Sequence, residues 1–323
     1  MTRIIALILA TALGASAAAA QNYPARPVTM IVPFAPGGLT DSIARVLAEG
    51  MREPLGQNVI VENIGGASGT IGTARAARSA PDGYTLMLGI WNTQVANGAI
   101  FRSLDFDIVR DLEPISLVGD APLVYLARKD MPANTLKEFV AWLKANPDKA
   151  TTGTAGSGAP STLLHTLFKK QTGTKFEIIG YRGAGLIPQD LLSGQIDMAI
   201  LNTATSLPHV KSGAIKAYAV TSSNRLTLAP DIPTMAEAGY PGLEFSIWAG
   251  LYAPKGTPKE IIEKVNKAVV AALENPMIRE RLINQGVEIF PKDKQNPAAL
   301  AAFQKADIER WWPIIKEAGV TVQ

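Results

Sequence analysis

The 323-residue chain contains no cysteine. A disulfide framework is therefore excluded, and so is a lipid anchor on an N-terminal cysteine. Histidine is nearly absent, with only His165 and His209. Without thiols or clustered imidazoles, no metal-ligand spacing such as His-Glu-x-x-His arises, and no metal or other cofactor is expected. No serine stands in Gly-x-Ser-x-Gly, so the nucleophile elbow of α/β hydrolases is missing. Neither a P-loop nor a Gly-x-Gly-x-x-Gly fingerprint follows a strand. An enzyme built on this chain would have to work with carboxylates, hydroxyls or a lone histidine. Charge of one sign is also scarce in any one place. Lys and Arg total 31 against 28 Asp and Glu, so the pI near 9.0 reflects a net charge of only +3. No basic run interleaved with aromatics points to nucleic acid.

Long apolar runs are missing too. Ile4 to Leu13 is the length of a signal-peptide core and too short to span a bilayer. Ala18-Ala19-Ala20 follows, with Ala18 and Ala20 at the small-residue positions of a cleavage site. Residues 1–20 are expected to be a signal peptide cleaved near Ala20, which places the mature chain in the periplasm. Nothing later approaches ~18 apolar residues in succession. A hydrophobic content of 47% argues for a folded globule. About 300 residues exceed one ordinary core, so two domains are expected.

What remains is a regular alternation. Val28 to Phe34 reads as a strand, Ser42 to Met51 as a helix with Ile43, Val46 and Leu47 on one side, and Val59 to Glu62 as a strand. A second glycine turn, Gly65 to Gly69, leads to a helix over Ile71 to Ser79 and a strand over Tyr84 to Gly89. β-α-β-α-β order implies a parallel, doubly wound α/β sheet. The scheme repeats after a capping box at Thr135 to Glu138, with strands near 150–154, 176–180, 196–201 and 215–221 and helices near 161–171 and 187–193. The chain ends in helices opened by Thr257-Pro258-Lys259-Glu260 and Asn296-Pro297. Extended stretches near 115–127 and 243–253 are suited to carry the chain between domains.

Twice, a strand ends in a glycine turn rich in hydroxyl residues and a helix follows: Phe34-Ala35-Pro36-Gly37-Gly38-Leu39-Thr40-Asp41, and Thr154-Ala155-Gly156-Ser157-Gly158-Ala159-Pro160-Ser161. Glycine lets a ligand reach the backbone. The first amides of a helix lack internal acceptors, and the helix dipole adds about 0.3–1 kcal/mol for an anion, up to ~2 when partly buried. Two such turns on facing domains suit the two ends of a dicarboxylate. The alternative is two ordinary turns with Thr40 and Ser161 as N-caps. Asp41 either complements the dipole and binds the turn, or repels a nearby carboxylate. Trp91 and Asn92 follow the third strand, where an aromatic suits an apolar stretch of ligand or simple packing. Asn202 and Thr203 follow another strand and can add polar contacts. His165 and Trp311-Trp312 are assigned to packing. His209 has no supporting context, and Arg182 is either a counter-charge or solvated.

These residues resemble the periplasmic receptors of tripartite tricarboxylate transporters, the Bug-type or TctC-type proteins. The resemblance covers nearly the whole mature chain: Tyr23-Pro24-Ala25-Arg26-Pro27-Val28, Ile31 to Gly38 with Thr40-Asp41, Val61-Glu62-Asn63, Pro81-Asp82-Gly83-Tyr84-Thr85-Leu86, Asp190 to Asp197, Pro233-Thr234 with Glu237-Ala238-Gly239, and Trp248 through Pro258. It implies a two-lobed Venus-flytrap fold with the ligand in the interlobe cleft. One lobe is then 21–122 with 248–323, the other 123–247. It implies capture of a small organic carboxylate between the lobes and delivery to the membrane components of such a transporter. A monomer that binds a dicarboxylate or aromatic acid is expected, and a loaded form that signals to a sensor kinase is the alternative. The resemblance carries a ligand-contact role onto Gly37, Gly38, Thr40 and Asp41, and across the cleft onto Ser157, Pro160 and Ser161; Phe34, Thr162, Trp91, Asn202 and Thr203 are candidate contacts beside them. The second turn departs from the family's habit: Ala159 replaces a hydroxyl residue and Thr162 a histidine.

Overall fold

The computed structural model describes residues 23–156, 159–181 and 184–319. β1 (Val28–Val32) is a β-branched run whose residues are almost all buried. It lies between β2 (Val59–Asn63) and β3 (Thr85–Ile90), parallel to both. Helix α1 (Leu39–Leu55) joins β1 to β2. Its Ile43, Val46, Leu47 and Met51 pack on one face of the sheet, and left-handed Gly56 stops it. Helix α2 (Thr70–Ala77) joins β2 to β3 and sets Ala76 into the core on the other face. The sheet is therefore doubly wound, with a crevice where the order reverses between β1 and β3.

The strand that organises the molecule is β4 (Leu112–Arg128). Its first part, Leu112 to Pro122, pairs antiparallel with β9 (Ser246–Pro254), which borders β3. The two-residue β10 (Glu288–Ile289) pairs with β4 at Asp120 and Gly119. From Leu123 onward β4 serves a second sheet, between β7 (Met198–Asn202) and β8 (Ile215–Val220), with β5 (Thr151–Thr154) and β6 (Glu177–Gly180) beyond β7. Leu136–Ala145 (α3), Pro160–Thr172 (α4), Ile187–Ser193 (α5) and Thr203–Lys211 (α6) pack around this second half. Lys259–Glu274 (α7), Pro276–Asn284 (α8) and Pro297–Glu317 (α9) return to the first half, where Val265 and Val269 of α7 meet α1.

Three features depart from the sequence expectation. α1 begins at Leu39 rather than Ser42, because Gly38 in extended conformation (φ −82°, ψ 172°) is its N-cap. α4 likewise starts at Pro160 with Ala159 as N-cap. Thr40 and Ser161 are thus inside their helices and cap neither. Third, α6, α8 and a π-helical turn over Asn92–Ala96 arise where no helix was read.

Candidate functional site

The carboxyl end of β3 lies beside the start of β9, in register with β4 near Gly119, and the carboxyl end of β7 meets β4 at Leu123. Four residues of strand separate them, roughly 13 Å. The turns that follow the strands of both halves therefore converge on the midpoint of β4.

In the first half three turns pack together. Asn97 Nδ2 donates to the Ser68 carbonyl at 3.0 Å, and a Cβ added to Gly65 would stand 3.1 Å from the Ala35 nitrogen. The 64–69 turn is strained as well, with Ala67 and Ser68 at φ +45° and +55°. The sequence shows this turn only as a glycine run, not as a partner of the first.

Gly37 takes φ +87°, which a side chain would resist. Gly37 and Gly38 are exposed, Phe34 is half-buried and Thr40 is buried. No side chain caps α1, and the amides of Leu39, Thr40 and Asp41 have no acceptor among the described residues. In contrast, Thr135, Asn202, Asn275 and Asn296 each cap their own helix with a side-chain oxygen. α7 also starts without a side-chain cap, but from the opposite end of the sheet, after β9. An uncapped 17-residue helix ending at an exposed glycine turn is a ready acceptor of negative charge.

Asp41 turns inward. Its carboxylate accepts from Gly37 N at 2.9 Å, Asn63 Nδ2 at 2.9 Å and Arg45 Nε at 3.0 Å, with Arg45 Nη2 also at 3.0 Å. Four N–H groups saturate the lone pairs of a carboxylate. Arg45 foremost, then Gly37 and Asn63, hold its pKa at about 2 against burial. Asp41 thus shapes the turn instead of offering an oxygen to a ligand. Arg45 was legible as the residue one helical turn after Asp41.

Across the crevice, Thr162 Oγ1 donates to the Gly156 carbonyl at 2.6 Å, which fastens the second turn from within. Pro160 opens α4 and Ser161 is buried. The Ser161 amide has no acceptor among the described residues. Ser157 and Arg182 lie outside the described residues, as does the signal-peptide segment. The other expected contacts have structural employment. Asn202 caps α6 by accepting from Thr205 N at 2.8 Å, and buried Thr203 donates to the Pro122 carbonyl at 3.0 Å. Trp91 is 2% exposed and meets the rings of Phe245 and Trp311 edge-on. Of the two roles its position offered, packing is the one these aromatic neighbours fill. His165 is fully buried and its Nε2 pairs with Thr152 Oγ1 at 2.8 Å, so packing is its role.

A cavity of about 460 Å³ lies elsewhere, at the edge of the β4 crossing, walled by Asp120, Arg225, Trp248, Glu288, Asp307 and Arg310. It includes neither glycine turn. Among the described residues, no group of three or more His, Asp or Glu could hold a metal, and no helix is long and apolar enough to cross a membrane.

Comparison with known proteins agrees with this architecture. Residues 43–320 match the model of the tripartite tricarboxylate transporter family receptor. The periplasmic binding protein BugD is 42% identical and superposes with a TM-score of 0.78, covering 93% of this chain and 100% of its own. MatC from Rhodopseudomonas palustris, solved with bound malate, is 35% identical with a TM-score of 0.76, over 91% and 100% of the two chains. An R. palustris protein solved with adipate is 30% identical with a TM-score of 0.79, over 93% and 99%. The fold is that of the periplasmic binding proteins, and the chain belongs to the tripartite tricarboxylate transporter receptor family.

Proposed function

We propose that this protein is a periplasmic receptor that binds a small organic dicarboxylate in the crevice beside β4 and passes it to the membrane components of a tripartite tricarboxylate-type transporter, without transforming it. The observation that carries the reading is the uncapped start of α1 at Gly37-Gly38, where three amides stand without acceptors among the described residues. Backbone amides, not a cationic side chain, then hold one carboxylate. The second sits against Pro160 and Ser161 at the start of α4. In this reading residues 21–122 and 248–323 move as one lobe and 123–247 as the other, closing on the ligand. Relatives solved with malate and adipate support a four- to six-carbon diacid. Burial of Trp91 removes the aromatic surface that an aromatic acid would need, so aliphatic diacids are favoured.

The test is a thermal-shift and calorimetric titration of the mature chain with malate, adipate, other C4 to C8 dicarboxylates and aromatic acids. A ligand at 100 times its Kd stabilises the folded state by about 2.7 kcal/mol and raises Tm accordingly. Gly38→Val is expected to keep the parent Tm without ligand and lose this shift. A panel in which no carboxylate moves Tm would sink the receptor reading, and full affinity in Gly38→Val would remove the first turn from the site.

A further inference from the structure

A carboxylate in the first turn of a helix that receives an anion is a contradiction in charge. Asp41 stands two residues beyond Leu39, the first residue of α1, and its side chain is 6% exposed. Left with its full charge, it would oppose any carboxylate arriving at the Gly37-Gly38 turn. The fold resolves this with two residues outside the turn. Arg45, one helical turn on, meets both Asp41 oxygens in a fork, and its Nη2 also donates to Asn63 Oδ1 at 3.1 Å. Asn63, the last residue of β2, donates to Asp41 and to the Phe34 carbonyl at 3.2 Å. The end of β1, the end of β2 and the start of α1 are thereby joined through one carboxylate. The same carboxylate claims the Gly37 amide, leaving those of Leu39, Thr40 and Asp41 for other acceptors.

We infer that Arg45 is the positioning and charge-compensating residue for anion capture, holding Asp41 neutralised inside the turn with Asn63 as the brace. This deepens the receptor reading and rests on it. Arg45 does not touch the ligand. It sets the electrostatic potential at the helix mouth and fixes which amides face outward. The effect is one of charge, so it is largest for dianions and weakens with salt, whereas a purely architectural contact is indifferent to both.

The experiment measures binding of malate and adipate to the mature parent protein and to Arg45→Gln, Arg45→Lys and Arg45→Gln/Asp41→Asn, at about 50 mM and about 500 mM salt. Circular dichroism confirms folding in each case. Arg45→Gln is expected to weaken diacid binding at least about tenfold at low salt, with a smaller loss at high salt. Arg45→Lys keeps the charge and retains most of the affinity. Removing both charges in the double variant restores affinity to within about threefold of the parent. Parent-like binding by Arg45→Gln, or a double variant no better than the single, overturns the inference while leaving the receptor reading intact. A parent protein that binds no carboxylate overturns both.

Discussion

At the scale of single residues, His165 shows how a polar group can be wholly structural. It lies among Tyr125, Phe168 and Phe176, donating or accepting only at Thr152, with Nδ1 unpartnered among the described residues. Burial above all, and then the charge of Lys169, pushes its pKa down from 6.5 to about 3. The unfolded chain therefore binds a proton that the folded one refuses between those values. The stability contributed by neutral His165 is complete above pH 6.5 and is lost as pH falls toward about 3. At about pH 5 the loss is on the order of 2 kcal/mol. His165→Gln cannot charge, so calorimetric scans at about pH 7 and about pH 5 are expected to show a smaller drop in Tm than in the parent. An equal drop in both proteins would assign the acid sensitivity to other groups. Asp41 also illustrates the limit of reading side chains from sequence. Its two roles were visible in the order Gly-Gly-Leu-Thr-Asp, but the choice between them depends on Asn63, a residue 22 positions away.

At the scale of elements, periodicity made most helices and strands legible, because amphipathic faces leave a 3.6- or 2-residue trace. α1, α7 and β1 follow that trace closely. α6 and α8 escaped it. α6 buries Thr203, Ser206 and Leu207, one apolar residue among three, and carries Pro208 in its interior, while α8 buries Ile278 and Leu282 alone, too few for an amphipathic stripe. The π-helical turn after β3 escaped for a different reason: its buried Thr93 and Gln94, with Asn97 just beyond, read as a polar loop until tertiary packing encloses them. The contact of α1 with α7 offers a direct test. A Cβ at Gly50 would stand 2.8 Å from the Ala272 Cβ and 3.0 Å from Ile278 Cγ1. Gly50→Val is expected to push the helices apart and cost about 1–3 kcal/mol in chemical denaturation, despite its gain in helix propensity over glycine. Unchanged stability would show that the two helices are free to slide.

At the scale of the whole molecule, the two halves are tied away from the glycine turns. Glu288 of β10 accepts from Thr227 N and Thr227 Oγ1, both at 2.8 Å, which joins the first half to the loop after β8. Arg310 on α9 donates to the carbonyls of Gly242 and Glu244, and Lys170 of α4 pairs with Glu317 at 2.6 Å. The Glu288 contact is the most directed of these, since one carboxylate takes both donors of a single residue. Glu288→Ala is expected to cost about 1 kcal/mol or less, since both bonds are exposed, and to speed hydrogen exchange at the Thr227 amide, with β1 and β3 keeping their protection. Uniform acceleration across both halves would instead mean that the contact supports the entire fold. The general plan of two α/β halves was legible from the repeated order of strands and helices. Which extended stretch serves both halves was not, because β4 and β9 are similarly apolar and only pairing distinguishes them.

β4 has a consequence for anyone who would recombine this receptor with its relatives. One uninterrupted strand gives Leu112 to Pro122 to the first sheet and Leu123 to Arg128 to the second. A cut at the crossing therefore shortens the central strand of both pieces, and a cut elsewhere leaves one piece with an unpaired border on β9 or β7. Chimeras between family members must therefore carry β4 together with its partners from a single parent.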